Sequence, residues 1–167
     1  NLAFSGDEIN TWHRVGDKPE DFGTRDQWLA KVKADVVFAC YGYNESFDGY
    51  AGIDAFKKNV AKFIEDVKAQ NFSGKGSPRI VLFSPVPLEK VANPSLPPVE
   101  EKNTNIQNYA AAMGEVAAAA GVTFVNLYEP TQKAYAGRKG ELTLNGLYQN
   151  ADGDKAIAAA AFKALTG

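Results

Sequence analysis

The residues best suited to chemistry follow a short apolar run in the first third of the chain. The run Val36 to Cys40 leads through Tyr41 into Gly42-Tyr43-Asn44-Glu45. An apolar strand that stops at a glycine places the next polar side chain at the carboxyl edge of a sheet, where open α/β sheets bind their ligands. Asn44 therefore offers an amide hydrogen-bond donor at a candidate ligand site.

A second glycine follows another apolar segment near the start of the chain. Ser5-Gly6-Asp7 comes directly after Leu2 to Phe4. A glycine lets the backbone approach a ligand closely, and a backbone N–H placed there can stabilise a negative oxygen. Taken alone, the tripeptide is more typical of an ordinary βα turn capped by Ser5 or Asp7, and Asn44 alone is also compatible with a helix cap or with a residue that stabilises the turn after Cys40.

Three segments together resemble conserved blocks of the SGNH (GDSL-type) hydrolases. VVFACYGYNESF resembles the third block, in which an asparagine donates to the oxyanion, and NLAFSGDEI resembles the second, in which a glycine N–H does so. LTLNGLYQNADGDKAI resembles the last block. The resemblance covers nearly the whole chain and implies ester or acetyl-ester hydrolysis, with Gly6 and Asn44 as the oxyanion hole. It also implies a flavodoxin-like three-layer α/β/α fold with a mainly parallel sheet.

The last block departs from the family pattern. The family normally has Asp-x-x-His there, whereas this chain has Asn145 and Tyr148. A tyrosine phenol is a poor general base at neutral pH, and an amide cannot act as the negatively charged group that orients an imidazole. We interpret the pair as degraded catalytic positions. Two other interpretations of Tyr148 stay open, a packing residue on a relic loop and a sequence error for histidine.

The family block that carries the Gly-Asp-Ser nucleophile is absent from the 167 residues. In the family topology that block follows the first strand, which lies between the second and third strands. If Leu2 to Phe4 belongs to the second strand, neighbouring strands would lose their backbone partners without the first. We therefore expect one N-terminally incomplete domain over residues 1–167, with an upstream segment or another chain completing the sheet.

Other residues with reactive side chains have simpler interpretations. His13 is the only histidine, and its distance in sequence from the last block indicates a surface or packing role. Ser46 and Ser84 fall near strand ends but without a histidine at a family-like place, so we interpret both as structural. Cys40, the only cysteine, lies inside an apolar strand and is expected to be a small core residue.

Alternating strand and helix patterns must position these side chains, and they predict βαβ units. The predicted strands are Leu2–Phe4, Val36–Cys40, Ile80–Ser84 and Val122–Asn126. Four helices are predicted. The first begins at a capping box on Thr24, and the second follows the apolar stripe from Ile53 to Val67. The third runs from Glu100 to Ala120, and the last runs from an Asp152 cap to Leu165. Five prolines between Pro85 and Pro98 predict a long loop.

Composition restricts the partners. A net charge of −2, with lysines scattered along helices, gives no electrostatic case for nucleic acid or anionic membranes. No apolar run reaches the roughly 20 residues of a membrane span, and no cluster of residues has metal-ligand spacing. We expect no cofactor. The resemblance implies a small ester or an acetylated glycan as substrate, and alone it favours an extracytoplasmic location.

Two functions remain compatible with the sequence. The first is an SGNH-type ester hydrolase with incomplete catalytic machinery. The second is a non-catalytic binding or assembly module that retains the fold and the oxyanion pocket. A flavodoxin-like nucleotide-binding protein is weaker, because Gly74-Lys75-Gly76-Ser77 precedes a strand instead of following one, as a phosphate loop would.

Overall fold

The computed structural model describes residues 2–11, 23–93 and 95–167. Its strands are β1 (Val36–Cys40), β2 (Arg79–Phe83) and β3 (Thr123–Val125). Its α-helices are α1 (Arg25–Lys31), α2 (Ile53–Lys68), α3 (Glu100–Ala120), α4 (Tyr128–Ala136) and α5 (Ala151–Thr166). Two short 3₁₀ turns, Glu45–Asp48 and Tyr50–Gly52, connect β1 to α2.

The three strands form one parallel sheet in the order β1-β2-β3. Val37, Ala39 and Leu82 pack with α2 and α3 on one face. Val81 and Phe83 alternate to the other face, where they pack in a cluster that includes residues of α5. The helices therefore cover both faces of the sheet, and the predicted α/β class with a parallel sheet is confirmed.

Helix α2 shows how the apolar stripe becomes the core. Phe56, Val60 and Ile64 recur at four-residue steps and are almost completely buried. Burying each such side chain contributes about 1.5–3 kcal/mol relative to exposure. Tyr109 of α3 packs its ring against Phe56, with the ring centroids 4.9 Å apart. This α2–α3 layer supports the end of β1 from which the Asn44 loop begins.

The predicted helices are found, with two differences. The capping box of α1 on Thr24 is present, and α3 ends at Gly121 in the left-handed conformation that favours glycine. The cap of α5 is Asn150 and not Asp152, because the Asn150 side chain accepts from the N–H groups of Asp152 and Gly153. Helix α4 is not predicted from the sequence, since its proline and its polar residues obscure the apolar periodicity.

The prediction of a strand at Leu2–Phe4 is wrong, because these residues form no strand. A strand requires a hydrogen-bonded neighbour, and β1 pairs only with β2 among the described residues. Instead, Leu2 and Phe4 line one side of a cavity of about 440 Å³, and β1 lines the other side. The intervening strand expected from the resemblance stays a prediction.

The edge of β1 that faces this cavity is apolar and open. Phe38 is 61% exposed, and Cys40 is exposed as well. The expectation of a core position for Cys40 is therefore wrong. Its side chain points to the same face of the sheet as Phe38, and no described helix covers that part of the face closely enough to bury either residue.

The register of β1 predicts an alternating pattern of amide hydrogen exchange. Arg79 N donates to Asp35 O at 2.9 Å, so Val37 and Ala39 bond to β2 while Phe38 points its N–H toward the open edge. In this chain, the Phe38 amide should exchange much faster than those of Val37 and Ala39, which NMR-detected exchange would measure. Equal protection of all three would show that the edge is occupied.

Candidate active site

The Asn44 loop leaves β1 through a glycine that no other residue can replace without strain. Gly42 has φ +103°, and a Cβ there would lie 3.3 Å from both Phe56 and Pro85. The chain then turns tightly, with Ser46 N donating to the carbonyls of Gly42 and Tyr43. The tight turn brings Asn44 to the carboxyl end of β1, in agreement with the position predicted from the sequence.

The Gly6 loop reaches the same edge of the sheet. Gly6 lies in an exposed turn closed by a hydrogen bond from Asp7 N to Phe4 O at 3.2 Å. Asn44 Nδ2 donates to Asp7 O across 3.1 Å. The structure thus brings the two predicted oxyanion residues into adjoining loops. Because an amide nitrogen carries two hydrogens, this bond leaves one N–H of Asn44 for a ligand.

A buried carboxylate joins these two loops. Glu45 accepts from Ile9 N at 2.9 Å through one oxygen and from Gly42 N at 2.8 Å through the other. Burial raises the pKa of Glu45 above its ordinary value, although the two backbone N–H donors oppose that shift. Glu45, which stands where the family pattern usually has aspartate, therefore connects the Gly6 and Asn44 loops through these two hydrogen bonds.

A second buried carboxylate, that of Glu89, holds the loop between α4 and α5, which carries Asn145 and Tyr148 and is called the last-block loop below. Glu89 is 5% exposed, and its oxygens accept from the N–H groups of Leu142 and Thr143 and from Thr143 Oγ1, at 2.6–2.9 Å. Its own N–H donates to Gly146 O at 2.8 Å. Gly146 has φ +85°, and a Cβ there would lie 2.9 Å from Glu89 O, so the close approach requires glycine.

Asn145 and Tyr148 sit on the loop that Glu89 holds. Asn145 Oδ1 accepts from Leu147 N at 3.2 Å and from Tyr148 N at 3.0 Å, so the amide stabilises its own turn. Tyr148 is 55% exposed, which does not support its interpretation as a core packing residue. Desolvation raises the pKa of Tyr43, and the charge of an ionised Tyr148 phenol raises it further.

A cavity lies between the residue that precedes Asn44 and the loop that carries Asn145. Tyr43, the neighbour of Asn44, lines a cavity of about 810 Å³ together with Asn145, and the segment from Leu88 to Asn93 forms another of its walls. Gly6, Asn44 and Tyr148 are not among the residues that line this cavity. Donors such as the Asn44 amide can stabilise an oxyanion, and the described residues around them include no imidazole.

The remaining candidate residues have structural surroundings. Ser46 Oγ donates to Tyr43 O at 2.6 Å, and Ser84 Oγ accepts from the N–H groups of Leu127 and Tyr128. Both are buried, in keeping with the structural roles expected for them. His13 lies outside the described residues. Over residues 2–11, 23–93 and 95–167, no group of His, Cys, Asp and Glu is arranged to hold a metal ion.

Sequence reasoning missed Glu89. It follows the apolar segment Val81 to Leu88, and a glutamate in that context is rarely buried unless its oxygens are bonded. The signal in the sequence was the position of a single acidic residue just after a strand and two prolines. That signal cannot name the partners, since Leu142 and Thr143 lie 53 and 54 residues further along the chain.

With this geometry established, comparison with known proteins identifies the family. The profile of the GDSL-like lipase/acylhydrolase family matches residues 1–156. The chain belongs to this family. No curated protein matches its sequence.

Solved structures agree with the fold. A catalytic mutant of Axe2, an acetylxylan esterase from Geobacillus stearothermophilus, superposes with a TM-score of 0.67 at 14% identity, over 98% of this chain and 69% of that one. A gut microbial diltiazem-metabolizing enzyme gives a TM-score of 0.63 at 19% identity, over 83% of this chain and 35% of that one. These similarities show the flavodoxin-like SGNH fold.

The buried position of Glu45 predicts a pH-dependent stability. Because its pKa is raised in the fold, the folded state binds a proton more readily than the unfolded chain does. The contribution of Glu45 to the free energy of unfolding therefore falls as pH rises from the ordinary glutamate pKa to the raised value. Glu45→Gln does not titrate, so its stability should rise relative to wild type through that window.

Urea unfolding at several pH values would measure this difference. Glu101→Gln, an exposed substitution on α3, is the control for the loss of one carboxylate. A constant offset between wild type and Glu45→Gln would contradict the effect expected from burial.

Removing the Glu89 carboxylate should loosen the last-block loop. Glu89→Ala leaves the N–H groups of Leu142 and Thr143 and the Thr143 hydroxyl without their acceptor, and each unsatisfied buried donor costs about 1–3 kcal/mol. We expect a loss of about 3 kcal/mol or more in chemical unfolding. Glu101→Ala should cost far less, and equal losses in the two variants would refute the assigned role.

Proposed function

We propose that the chain is an acyl-ester hydrolase domain in which Gly6 N–H and the Asn44 amide stabilise the oxyanion. The observation that supports it best is the hydrogen bond from Asn44 Nδ2 to Asp7 O. The two hydrogen bonds that Glu45 accepts from Ile9 N and Gly42 N, called the Glu45 clamp below, support it as well. These contacts fix the relative position of the two donor loops before any ligand arrives. Preorganised donors of this kind can each contribute about 3 kcal/mol to lowering the barrier.

The proposed reaction is acyl transfer to a serine and then to water. The serine hydroxyl attacks the ester carbonyl and gives its proton to a general base, and the two donors stabilise the negative oxygen that forms. The C–O bond to the alcohol then breaks, and the base returns the proton to the leaving alcohol. By family resemblance the serine belongs to a Gly-Asp-Ser block, which none of the 167 residues supplies. Tyr148 and Asn145 occupy the positions at which the family has its base and the group that orients it.

For the substrate, we propose a small ester, with an acetylated glycan as one class. The similarity to an acetylxylan esterase supports acetyl esters through the shared fold.

In the described part of the chain, no helix is both long and apolar enough to cross a bilayer.

A non-catalytic binding or assembly module is the second proposal. It is favoured by the hydrogen bonds of Asn145, whose side-chain oxygen accepts from the Leu147 and Tyr148 N–H groups of its own turn. In that geometry the amide holds the loop shape without orienting a base. The oxyanion donors and the cavity would then serve ligand binding alone.

We also propose that a further strand, from an upstream segment or another chain, pairs with the open edge of β1. The exposed Phe38 and the adjacent 440 Å³ cavity support this pairing. Backbone groups on that edge need partners once they are buried. Such a strand could also carry the serine to the Gly6 and Asn44 loops, since these loops adjoin that side of the sheet.

Restoring the base should raise activity where a Gly-Asp-Ser strand is supplied. In such a polypeptide, Tyr148→His should increase p-nitrophenyl acetate hydrolysis on the order of 10²-fold, the usual contribution of a general base. Tyr148→Phe is the matched control and should give no gain. Asn145→Asp should help only in the Tyr148→His background, because its carboxylate acts by orienting the imidazole.

The oxyanion proposal has a separate test in the same polypeptide. Asn44→Ala should lower kcat about 10²- to 10³-fold if the amide donates to the oxyanion. No gain from Tyr148→His in a folded protein would favour the binding module. The chain alone should not exceed the buffer rate, and a fluorophosphonate that labels Ser5, Ser46 or Ser84 would show that the nucleophile has been misplaced.

A further inference from the structure

Asn145-Gly146 is the only Asn-Gly pair in the chain. It lies in the last-block loop, where Asn145 is exposed and Gly146 is buried. Asparagine is one of the thermolabile residues of proteins, and it deamidates most readily before glycine, because glycine has no Cβ to hinder attack by its own backbone nitrogen. The pair is therefore a candidate site of spontaneous chemical modification.

Deamidation joins two atoms of this pair. The backbone nitrogen of Gly146 loses its proton to a base in the solvent and attacks Cγ of the Asn145 side chain. The new N–C bond closes a succinimide ring, and the bond from Cγ to Nδ2 breaks as ammonia leaves with a proton from water. Water then opens the ring to aspartate or to isoaspartate. The net change consumes water and releases ammonia, with no oxidation or reduction.

The attacking group, Gly146, is held on both sides by hydrogen bonds. Its N–H donates to Thr143 Oγ1 at 3.0 Å, and the Thr143 hydroxyl donates in turn to the buried Glu89 carboxylate at 2.6 Å. Its carbonyl accepts from Glu89 N at 2.8 Å. A hydroxyl that donates to a carboxylate is polarised and becomes a stronger acceptor. The nitrogen that would attack is thus bonded through the hydrogen that it must lose.

The group under attack, the Asn145 carboxamide, is held as well. Its Oδ1 accepts from Leu147 N at 3.2 Å and from Tyr148 N at 3.0 Å. Attack requires Cγ and the Gly146 nitrogen to meet in an aligned geometry, and a misplacement of about 1 Å can cost about 10²-fold in rate. A carboxamide with two such bonds cannot rotate without breaking them.

We propose that Asn145 is a deamidation site that these hydrogen bonds hold in an unreactive conformation, and that aspartate forms there when the last-block loop opens. The exposure of Asn145 gives water access to the ring and lets ammonia leave. The aspartate product is the residue type that the family normally has at this position. Isoaspartate would lengthen the backbone beside Gly146, where even a Cβ would lie 2.9 Å from Glu89 O.

Incubation of the chain in mildly alkaline buffer, with and without denaturing urea, tests the proposal. Peptide mapping by mass spectrometry would measure aspartate plus isoaspartate at position 145. The folded chain should deamidate at least about tenfold more slowly than the unfolded chain, because the reacting atoms are held out of alignment. Asn71 and Asn150 precede Phe72 and Ala151, and both should stay intact in urea over the same period.

Thr143→Val isolates the restraint on Gly146. It removes the acceptor of the Gly146 N–H and should speed deamidation of the folded chain about tenfold, the change in loop opening expected from one lost hydrogen bond. In urea its rate should equal that of wild type. Thr131→Val is the matched control, because Thr131 is 2% exposed and lies in α4, outside the loop. An unchanged folded rate in Thr143→Val would overturn the proposal.

The wild-type rates decide the proposal even if Thr143→Val does not fold. Equal rates in the folded and the unfolded chain would overturn it, because the loop would then impose no restraint. Faster deamidation in the folded chain would overturn it in the opposite sense, with Thr143 acting as a proton acceptor for the Gly146 nitrogen. Neither result depends on ester hydrolysis, so this proposal and the proposed function fail separately.

Discussion

The Glu45 carboxylate is the contact on which the geometry of this site depends. It reaches Ile9 N and Gly42 N from one buried position, and so ties a loop near residue 9 to the loop that follows β1. Without an acceptor between them, two buried N–H groups would oppose each other. The bond between Asn44 and Asp7 O then needs only a short reach, because the clamp has already set the loop spacing.

Burying this carboxylate is unfavourable, as the raised pKa of Glu45 indicates. The two backbone donors offset part of this desolvation cost, because hydrogen bonds to the charged form favour it. The same bonds hold the loop near residue 9 in one position relative to the loop that follows β1.

Much of the fold follows from local patterns. The alternation of apolar strands with amphipathic helices, the capping box on Thr24 and the glycine after Ala120 each act within a few residues, and each was predicted. The strand at Leu2–Phe4 was wrong because sequence pattern carries no information on which neighbour a strand edge has. The core position of Cys40 was wrong because the pattern does not tell how much of each sheet face the helices cover.

The candidate site divides in the same way. Gly6 and Asn44 were singled out because each follows an apolar segment, and Asn145 and Tyr148 because their segment resembles the last block of the family. Their catalytic roles remain predictions. Glu89 was missed because its partners are more than 50 residues away, and the cavity that it borders forms only when the proline-rich segment and the last-block loop come together.

The two buried carboxylates hold separate halves of the site. Glu45 holds the Gly6 and Asn44 loops, while Glu89 holds the loop with Asn145 and Tyr148. The side-chain hydrogen bonds described for each carboxylate stay within its own half. A change at Tyr148, which is more than half exposed, therefore costs the scaffold little. The position of Asn44 relative to Asp7 therefore does not depend on the residue at position 148, because no described side-chain hydrogen bond links the two halves.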